Sequence, residues 1–295
     1  GMTIPPFDPV IRNGQLHGRG SCDTKAGLAA MMHAMVELKE SGIVPPCEVL
    51  LATVVDEEFS YRGVVKLCEE VQATAAIVAE PTELRAVIAS KGVLRWRIRV
   101  QGRAAHSSKP HLGVNAIRHM AQLILRLEEE HEKLASKTHP LLGPSTCNIG
   151  VIRGGVQVNF VPDECVIELD RRLLPGEKAE EVLEGYREFL ASIPDIDASL
   201  VEPPLLVDEA LETAADHLVS TTAQSVLKHL GLDPTPSGVP FGSDASKLSR
   251  AGIPSIVFGP GSIDRAHAAD EYVEMDQVQT ALDFYREFMV SFDPS

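Results

Sequence analysis

Four short stretches of the sequence gather the side chains best suited to hold a divalent cation. They are Gly18-Arg19-Gly20-Ser21-Cys22-Asp23-Thr24-Lys25, Asp56-Glu57-Glu58, Glu80-Pro81-Thr82, and Ala266-His267 with Asp270-Glu271. Between them they offer Asp23, Glu57, Glu58, Glu80 and His267, which are hard oxygen donors plus one imidazole. That is the ligand chemistry of a hydrolytic zinc site, with one ion or with two sharing a carboxylate. Glu57 and Glu58 are neighbours, so they cannot play the same part. One can ligate the metal while the other takes a proton from water whose pKa zinc lowers to about 7, and later returns it to a leaving nitrogen. Each residue alone has a plainer reading: Asp23 as a helix cap, Glu80 as a loop carboxylate, Asp-Glu-Glu as an exposed turn. Their joint placement at strand ends favours the metal.

The elements that must position these residues follow from periodicity. Asp23 and Thr24 open a helix in which Leu28, Met31, Met32, Met35 and Leu38 recur at helical spacing and Gly42 ends it. Residues 49–55 form a nearly continuous apolar run, read as a buried parallel strand delivering Asp56-Glu57-Glu58. A helix over 60–71 and a strand over 75–79, which delivers Glu80, complete a βαβ texture. In an open α/β sheet, ligands gather at the carboxyl ends of such strands. Near Ala86 the pattern changes. Trp96, Ile98 and Val100 alternate with Arg95, Arg97 and Arg99, as in a half-exposed antiparallel strand. Helices over 114–131 and 177–190 and strands over 145–153, 165–172 and 199–201 follow. The βα texture then returns, with a helix over 210–230, a strand over 253–258 that leads to His267, and a closing helix over 275–290. The expected organisation is an α/β domain with a mostly parallel sheet, spanning 1–86 and 204–295, interrupted by an α+β domain over 87–203.

Composition narrows the function classes. Of 295 residues, 44% are hydrophobic and 23% charged, as in ordinary globular proteins. A net charge of -15 argues against a nucleic-acid partner. The apolar runs are too short to span a membrane, and the first residues lack a secretory signal. The five cysteines are odd in number, scattered and without Cys-x-x-Cys, which implies a reduced, cytoplasmic protein with no disulfide framework. Cys22, beside Asp23, is read as a small buried residue in a tight turn rather than a ligand or nucleophile. The histidines at 33, 119, 131, 217 and 229 fall in helical stretches and are read as surface or satisfied core residues. His111 is a lesser candidate for a dimer contact.

The motifs above, joined by Gly102-x-x-x-His106-Ser107-Ser108, Gly154-Gly155-x-x-x-Asn159-x-Val161-Pro162, Asp170-x-Arg172-x-x-Pro175-Gly176, Gly242-Ser243-Asp244-Ala245 and Gly259-Pro260-Gly261, cover nearly the whole chain. In this order they resemble the co-catalytic zinc amidohydrolases: acetylornithine deacetylases, succinyl-diaminopimelate desuccinylases, aminoacylases and glutamate carboxypeptidases. The resemblance implies a zinc-exopeptidase-like domain with an inserted ferredoxin-like lid and dimerisation domain. It implies two Zn2+ per subunit, with Co2+ as a substitute metal. Asp23 would bridge the ions, Glu58 and His267 would complete one, Glu80 would serve the other, and Glu57 would be the general base. His106 would reach a partner subunit's site and stabilise the oxyanion, and Asn159 and Arg172 would hold the substrate. The implied reaction is hydrolysis of the amide of an N-acyl amino acid by metal-bound hydroxide. A dipeptidase or carboxypeptidase acting on short peptides is the alternative within the family.

One departure bears on these expectations. Family members carry a His-x-Asp motif shortly before the segment matching Pro5-Pro6-Phe7-x-Pro9, and no His-x-Asp occurs in this sequence. Glu80 is then expected to lack its histidine partner, leaving one metal or none. A misassigned start or a piece of a longer chain is favoured over a short protein that has lost activity. His17, six residues before Asp23, is the less favoured substitute ligand. A non-catalytic dimer descended from such enzymes is the reading from another class.

Overall fold

In the computed structural model, which describes residues 2–295, a hairpin of β1 (Val10–Arg12) and β2 (Gln15–His17) leads into a π-type turn, Ser21–Lys25, and then α1 (Ala26–Ser41). The chain continues through α2 (Arg62–Glu70), β3 (Ala76–Val78) and β4 (Val87–Ser90). Next come β5 (Gly92–Gln101), β6 (Ala105–His106), α3 (Ala116–Glu132), β7 (Thr138–His139), β8 (Gly143–Pro144), β9 (Thr146–Gly154) and β10 (Phe160–Val161). Then follow β11 (Glu164–Leu173), α4 (Ala179–Ala191) and β12 (Ala198–Asp208). The last stretch holds β13 (Leu211–Glu212), α5 (Leu218–His229), β14 (Ser237–Val239), α6 (Asp244–Arg250), β15 (Ser255–Val257), β16 (Tyr272–Glu274) and α7 (Met275–Ser291).

These elements form two units. The first joins Gly1–Ala89, Leu211–Val239 and Ser243–Ser295; the second joins Ser90–Ala210 and Pro240–Gly242. In the first, the sheet runs β13-β4-β15-β3, with β14 also on β4. β15 lies parallel to β3 and antiparallel to β4. Strand alternation feeds two cores. Ile88 and Ile256 pack with α1, α5 and α7, while Val87 and Val257 pack with Leu211 and with Ala245 of α6. A separate three-stranded antiparallel sheet, β1-β2-β16, carries the approach to Asp23.

The second unit has the order β5-α3-β9-β11-α4-β12 and a four-stranded sheet β12-β5-β11-β9 whose neighbours are all antiparallel. This is the ferredoxin-like βαββαβ arrangement. Leu94, Trp96, Ile98 and Val100 point into one core with α3 and α4, and Trp96 meets Tyr186 of α4 at 4.7 Å between ring centroids.

The structure departs from the sequence reading in three places. Residues 49–55 form no strand, and Leu50 and Val55 are 62% and 72% exposed. An apolar run becomes a buried strand only where neighbours satisfy its backbone, and none of the described strands pairs with it. The helix expected from 210 starts at Leu218. Before it, Thr213 spends its amide on the Ile88 carbonyl (2.8 Å) and its hydroxyl on the Ser255 carbonyl (2.5 Å), and His217 Nδ1 then caps the Val219 amide. In α1 the buried stripe is Ala26, Ala30, Ala34 and Leu38 rather than the spaced methionines, because small side chains let α1 lie close to α7 and the sheet.

Candidate metal centre

Asp23 sits in the Ser21–Lys25 turn between β2 and α1. Gly27, in the first turn of α1, lets that turn approach the end of β3: a Cβ there would stand 2.9 Å from the Ala79 Cβ. The turn is tied down by Glu271, which is wholly buried. Its Oε1 accepts from the amides of Cys22 (3.0 Å) and Asp23 (3.2 Å), and its Oε2 pairs with Arg19 Nη1 at 2.7 Å.

The Glu57 and Glu58 loop is shaped by Asp56, held at φ 70°. The Asp56 carbonyl accepts from the amides of Ser60 (3.2 Å) and Tyr61 (2.7 Å). Its carboxylate accepts from the Ser60 hydroxyl and from Arg62 Nε, and these bonds keep it below the usual carboxylate range. Glu57 emerges half-buried and Glu58 exposed.

His267 arrives on the loop after β15. That loop is anchored where Tyr285 donates its hydroxyl to the Phe258 carbonyl (2.6 Å) and Phe258 stacks on Phe284. Gly259 then passes so close to Glu80 that a Cβ would lie 2.6 Å from the Glu80 carbonyl oxygen.

The result is a convergent donor set. His267 Nε2 lies 2.7 Å from Glu58 Oε1 and 3.1 Å from Asp23 Oδ2, and the ligand atoms of the three residues fall within 4.8 Å of one another. Donors around a tetrahedral zinc, bound at about 2.0–2.2 Å, stand about 3.3 Å apart, so the spacing suits one cation. The hydrogen bond to Glu58 raises the His267 imidazole pKa, and the ring bridges two carboxylates. Beside this set, carboxylates crowd. Burial, and then Asp244, Glu58 and Asp23, push Glu57 up to about 7. Burial and then Glu57, Asp23 and Asp244 push Glu80 well above the ordinary value, and burial followed by Glu58 raises Asp23. Such mutual repulsion is what a bound cation would relieve. The donors therefore fit a divalent metal. Glu80, buried among these carboxylates, lies outside the close three-residue set.

Other sequence candidates fall elsewhere. His17 packs on Tyr272 with ring centroids 5.2 Å apart and is not in the donor set. Cys22 is buried, which pushes its thiol up to about 12, and its Sγ meets the Ser262 carbonyl at 3.3 Å; it is not in the donor set. His106, Asn159 and Arg172 belong to the second unit. His106 pairs with Phe160 across β6 and β10, and the Ser107 amide donates to the Asn159 carbonyl, so His106 and Asn159 share one corner. The Ser108 amide donates to His106 Nδ1 at 3.2 Å, which leaves Nε2 as the protonated nitrogen of the neutral ring. Arg172 Nε is held by Asp170 at 2.9 Å, and the other oxygen of Asp170 takes Arg95 Nε at 2.6 Å. Sequence reasoning assigned no role to Glu271 or to Asp244, which crowds Glu57 and Glu80. Their signal was only membership of the His267…Asp270-Glu271 and Gly242-Ser243-Asp244-Ala245 motifs.

Comparison with known proteins now decides the family. Residues 1–291 match the pattern of Peptidase family M20/M25/M40. The chain belongs to this family. An acetylornithine deacetylase from Myxococcus xanthus is 32% identical over 278 residues, covering 90% of this chain and 70% of the relative. A probable succinyl-diaminopimelate desuccinylase from Staphylococcus epidermidis is 27% identical over 319 residues, covering 98% and 78%. Among solved structures, a tripeptidase from Staphylococcus aureus superposes with a TM-score of 0.79 at 23% identity, covering 96% of this chain and 75% of the other. A protein from Bacillus subtilis described as a dinuclear metal binding peptidase of the M20 family gives 0.67 at 18%, covering 90% and 70%. At these identities the structural likenesses speak to the fold. The M20 chain is thus an amide hydrolase of a metal-dependent family. Among its described residues, no helix is long and apolar enough to cross a membrane.

Proposed function

We propose that this M20 chain is a zinc hydrolase that cleaves the amide of N-acyl amino acids, of the deacetylase or desuccinylase type. The observation that carries the reading is the convergence of Asp23, Glu58 and His267 beside a Glu57 poised near neutrality. Asp23, Glu58 and His267 would hold the ion, Co2+ being a substitute, and Glu80 with Asp23 would serve a second. When bound, zinc supplies Lewis-acid polarisation of the scissile carbonyl and a lowered water pKa. Glu57 takes the proton of the attacking water and delivers it to the leaving nitrogen, a task suited to a carboxyl that titrates near the working pH. His106, with its proton on Nε2, donates to the developing oxyanion. It does so across a homodimer built through the inserted unit. Arg172, steadied by Asp170, binds the substrate carboxylate through its planar fork, and Asn159 orients the acyl group. The five cysteines, all unpaired, support a cytoplasmic setting.

The test is a panel of N-acetyl, N-succinyl and N-formyl amino acids and dipeptides, offered to the Zn2+- or Co2+-loaded chain. Glu57→Gln should lower kcat by about 10²- to 10⁴-fold while metal content stays unchanged. Retained turnover in that variant would refute the general base. No turnover by the metal-replete parent would favour a non-catalytic protein. Preference for dipeptides would place it with the peptidases.

A further inference from the structure

We propose that Glu271 is a positioning residue for the metal ligands Asp23 and His267, an assignment that rests on the metal-hydrolase reading above. Glu271 lies four residues beyond His267 and is fully buried. Its carboxylate divides its work. Oε1 accepts from the amides of Cys22 and of Asp23 itself, at 3.0 and 3.2 Å. Oε2 holds Arg19 Nη1 at 2.7 Å, and the Glu271 carbonyl accepts from the Gly18 amide at 3.2 Å. Arg19 Nη2 in turn reaches the carbonyl of Ala268, the residue after His267, at 3.2 Å. The Glu271 side chain with Arg19, and the Glu271 backbone carbonyl at Gly18, thus fasten both ends of the Gly18-to-Asp23 loop to the loop that carries His267.

The physical need is specific. The first amides of a helical turn have no partner within the helix, and buried amides left unpaired are costly. An ionised carboxylate satisfies two at once through charge-assisted bonds. Placing a further negative charge against Asp23 is unfavourable in a pocket already crowded with acids, and Arg19 offsets part of that cost. A carboxylate needed only for packing would have no reason to sit on the amide of a ligand residue. Here the bonds set the distance between two ligand-bearing loops that are 244 positions apart in sequence (267 less 23). The role resembles that of groups behind the ligands in other metal sites, where removing one partner weakens metal binding by about 10- to 100-fold.

The experiment is a Co2+ titration of the metal-free chain, followed by visible d–d absorption, for the parent, Glu271→Gln and Glu271→Ala. Thermal unfolding of each metal-free protein serves as the folding check. Glu271→Ala should bind Co2+ about 10- to 100-fold more weakly, with an altered band. Glu271→Gln should fall between, about tenfold weaker, because its amide oxygen still accepts while its NH2 opposes Arg19. Backbone amide exchange at Cys22 and Asp23 should accelerate in both. Parent-like affinity and spectrum in Glu271→Ala overturn the assignment. If that variant does not fold, parent-like affinity and spectrum in Glu271→Gln overturn it instead. A parent chain that binds no Co2+ overturns the metal reading itself and this assignment with it, a failure distinguished by appearing in the parent.

Discussion

Replacing Gly259 by alanine tests how tightly the loop after β15 is locked against Glu80. The new Cβ would meet three backbone atoms of Glu80: the carbonyl oxygen at 2.6 Å, the carbon at 3.3 Å and the nitrogen at 3.4 Å. The oxygen contact falls about 0.8 Å short of ordinary contact at 3.4 Å, and no flexible side chain can swing aside. Retreat on the Gly259 side is opposed by the Tyr285 hydroxyl on the Phe258 carbonyl and by the Phe258–Phe284 stack. Relief must separate two backbones, which stretches the bonds from the Thr82 and Leu84 amides to the Gly259 carbonyl (3.3 and 3.1 Å) and from the Gly259 amide to Thr82 Oγ1 (3.1 Å). Overpacking costs about 1–3 kcal/mol and a weakened hydrogen bond about 0.5–1.5 kcal/mol, together about 2–4 kcal/mol. At roughly 2–4 °C per kcal/mol for a domain of this size, the melting temperature should fall by roughly 4–16 °C. Differential scanning calorimetry of the metal-free protein reads it directly. The control is Gly185→Ala in α4, where a Cβ meets nothing within 4 Å and alanine should raise stability by about 0.5–1 kcal/mol. A fall of less than about 2 °C for Gly259→Ala, with the control behaving as expected, would refute the steric argument.

His131 gives a pH prediction. Burial depresses its pKa below the ordinary histidine value of about 6.5, and its Nε2 lies 3.0 Å from the Tyr186 hydroxyl. Between about pH 6.5 and the lower folded pKa, the unfolded chain binds a proton that the folded chain refuses, so stability falls as the pH falls. The drop in melting temperature from pH 7.5 to 5.5 should be smaller in His131→Gln; an unchanged slope would rule His131 out as its source. Added Co2+ at about 100 times its Kd should stabilise the parent by about 2.7 kcal/mol and leave His267→Ala nearly unmoved. An equal thermal shift in both would remove His267 from the site.

Legibility varied with how local the determinant was. The alternation of Trp96, Ile98 and Val100 with three arginines specified β5 and the face it buries, because strand side chains alternate whatever surrounds them. The spacing over α1 named a helix but not the face it buries, which is Ala26, Ala30, Ala34 and Leu38. Periodicity reports which positions share a side, whereas α7 and the sheet decide which side can come close. The run at 49–55 misled for the same reason, since hydrophobicity cannot supply a pairing partner. Asp23, Glu58 and His267 were visible through residue type and motif order, and the structure brings their donor atoms together. Glu271 was not legible, since an acid in a loop is ordinary until its oxygens are seen on the amides of Cys22 and Asp23.

By itself, then, the sequence determined the inventory of chemistry and most of the local elements. These depend on side-chain type and on repeats of 2 or 3.6 residues within one segment. Only the tertiary structure decided which acids share a pocket, that Glu57 is pushed to near neutrality while Asp56 is held low, and that a buried carboxylate staples the Asp23 turn to the His267 loop. Those properties come from desolvation and from Coulomb and hydrogen-bond interactions that reach only a few ångströms through space. The groups concerned lie tens to hundreds of positions apart along the chain, so only folding brings them within that range.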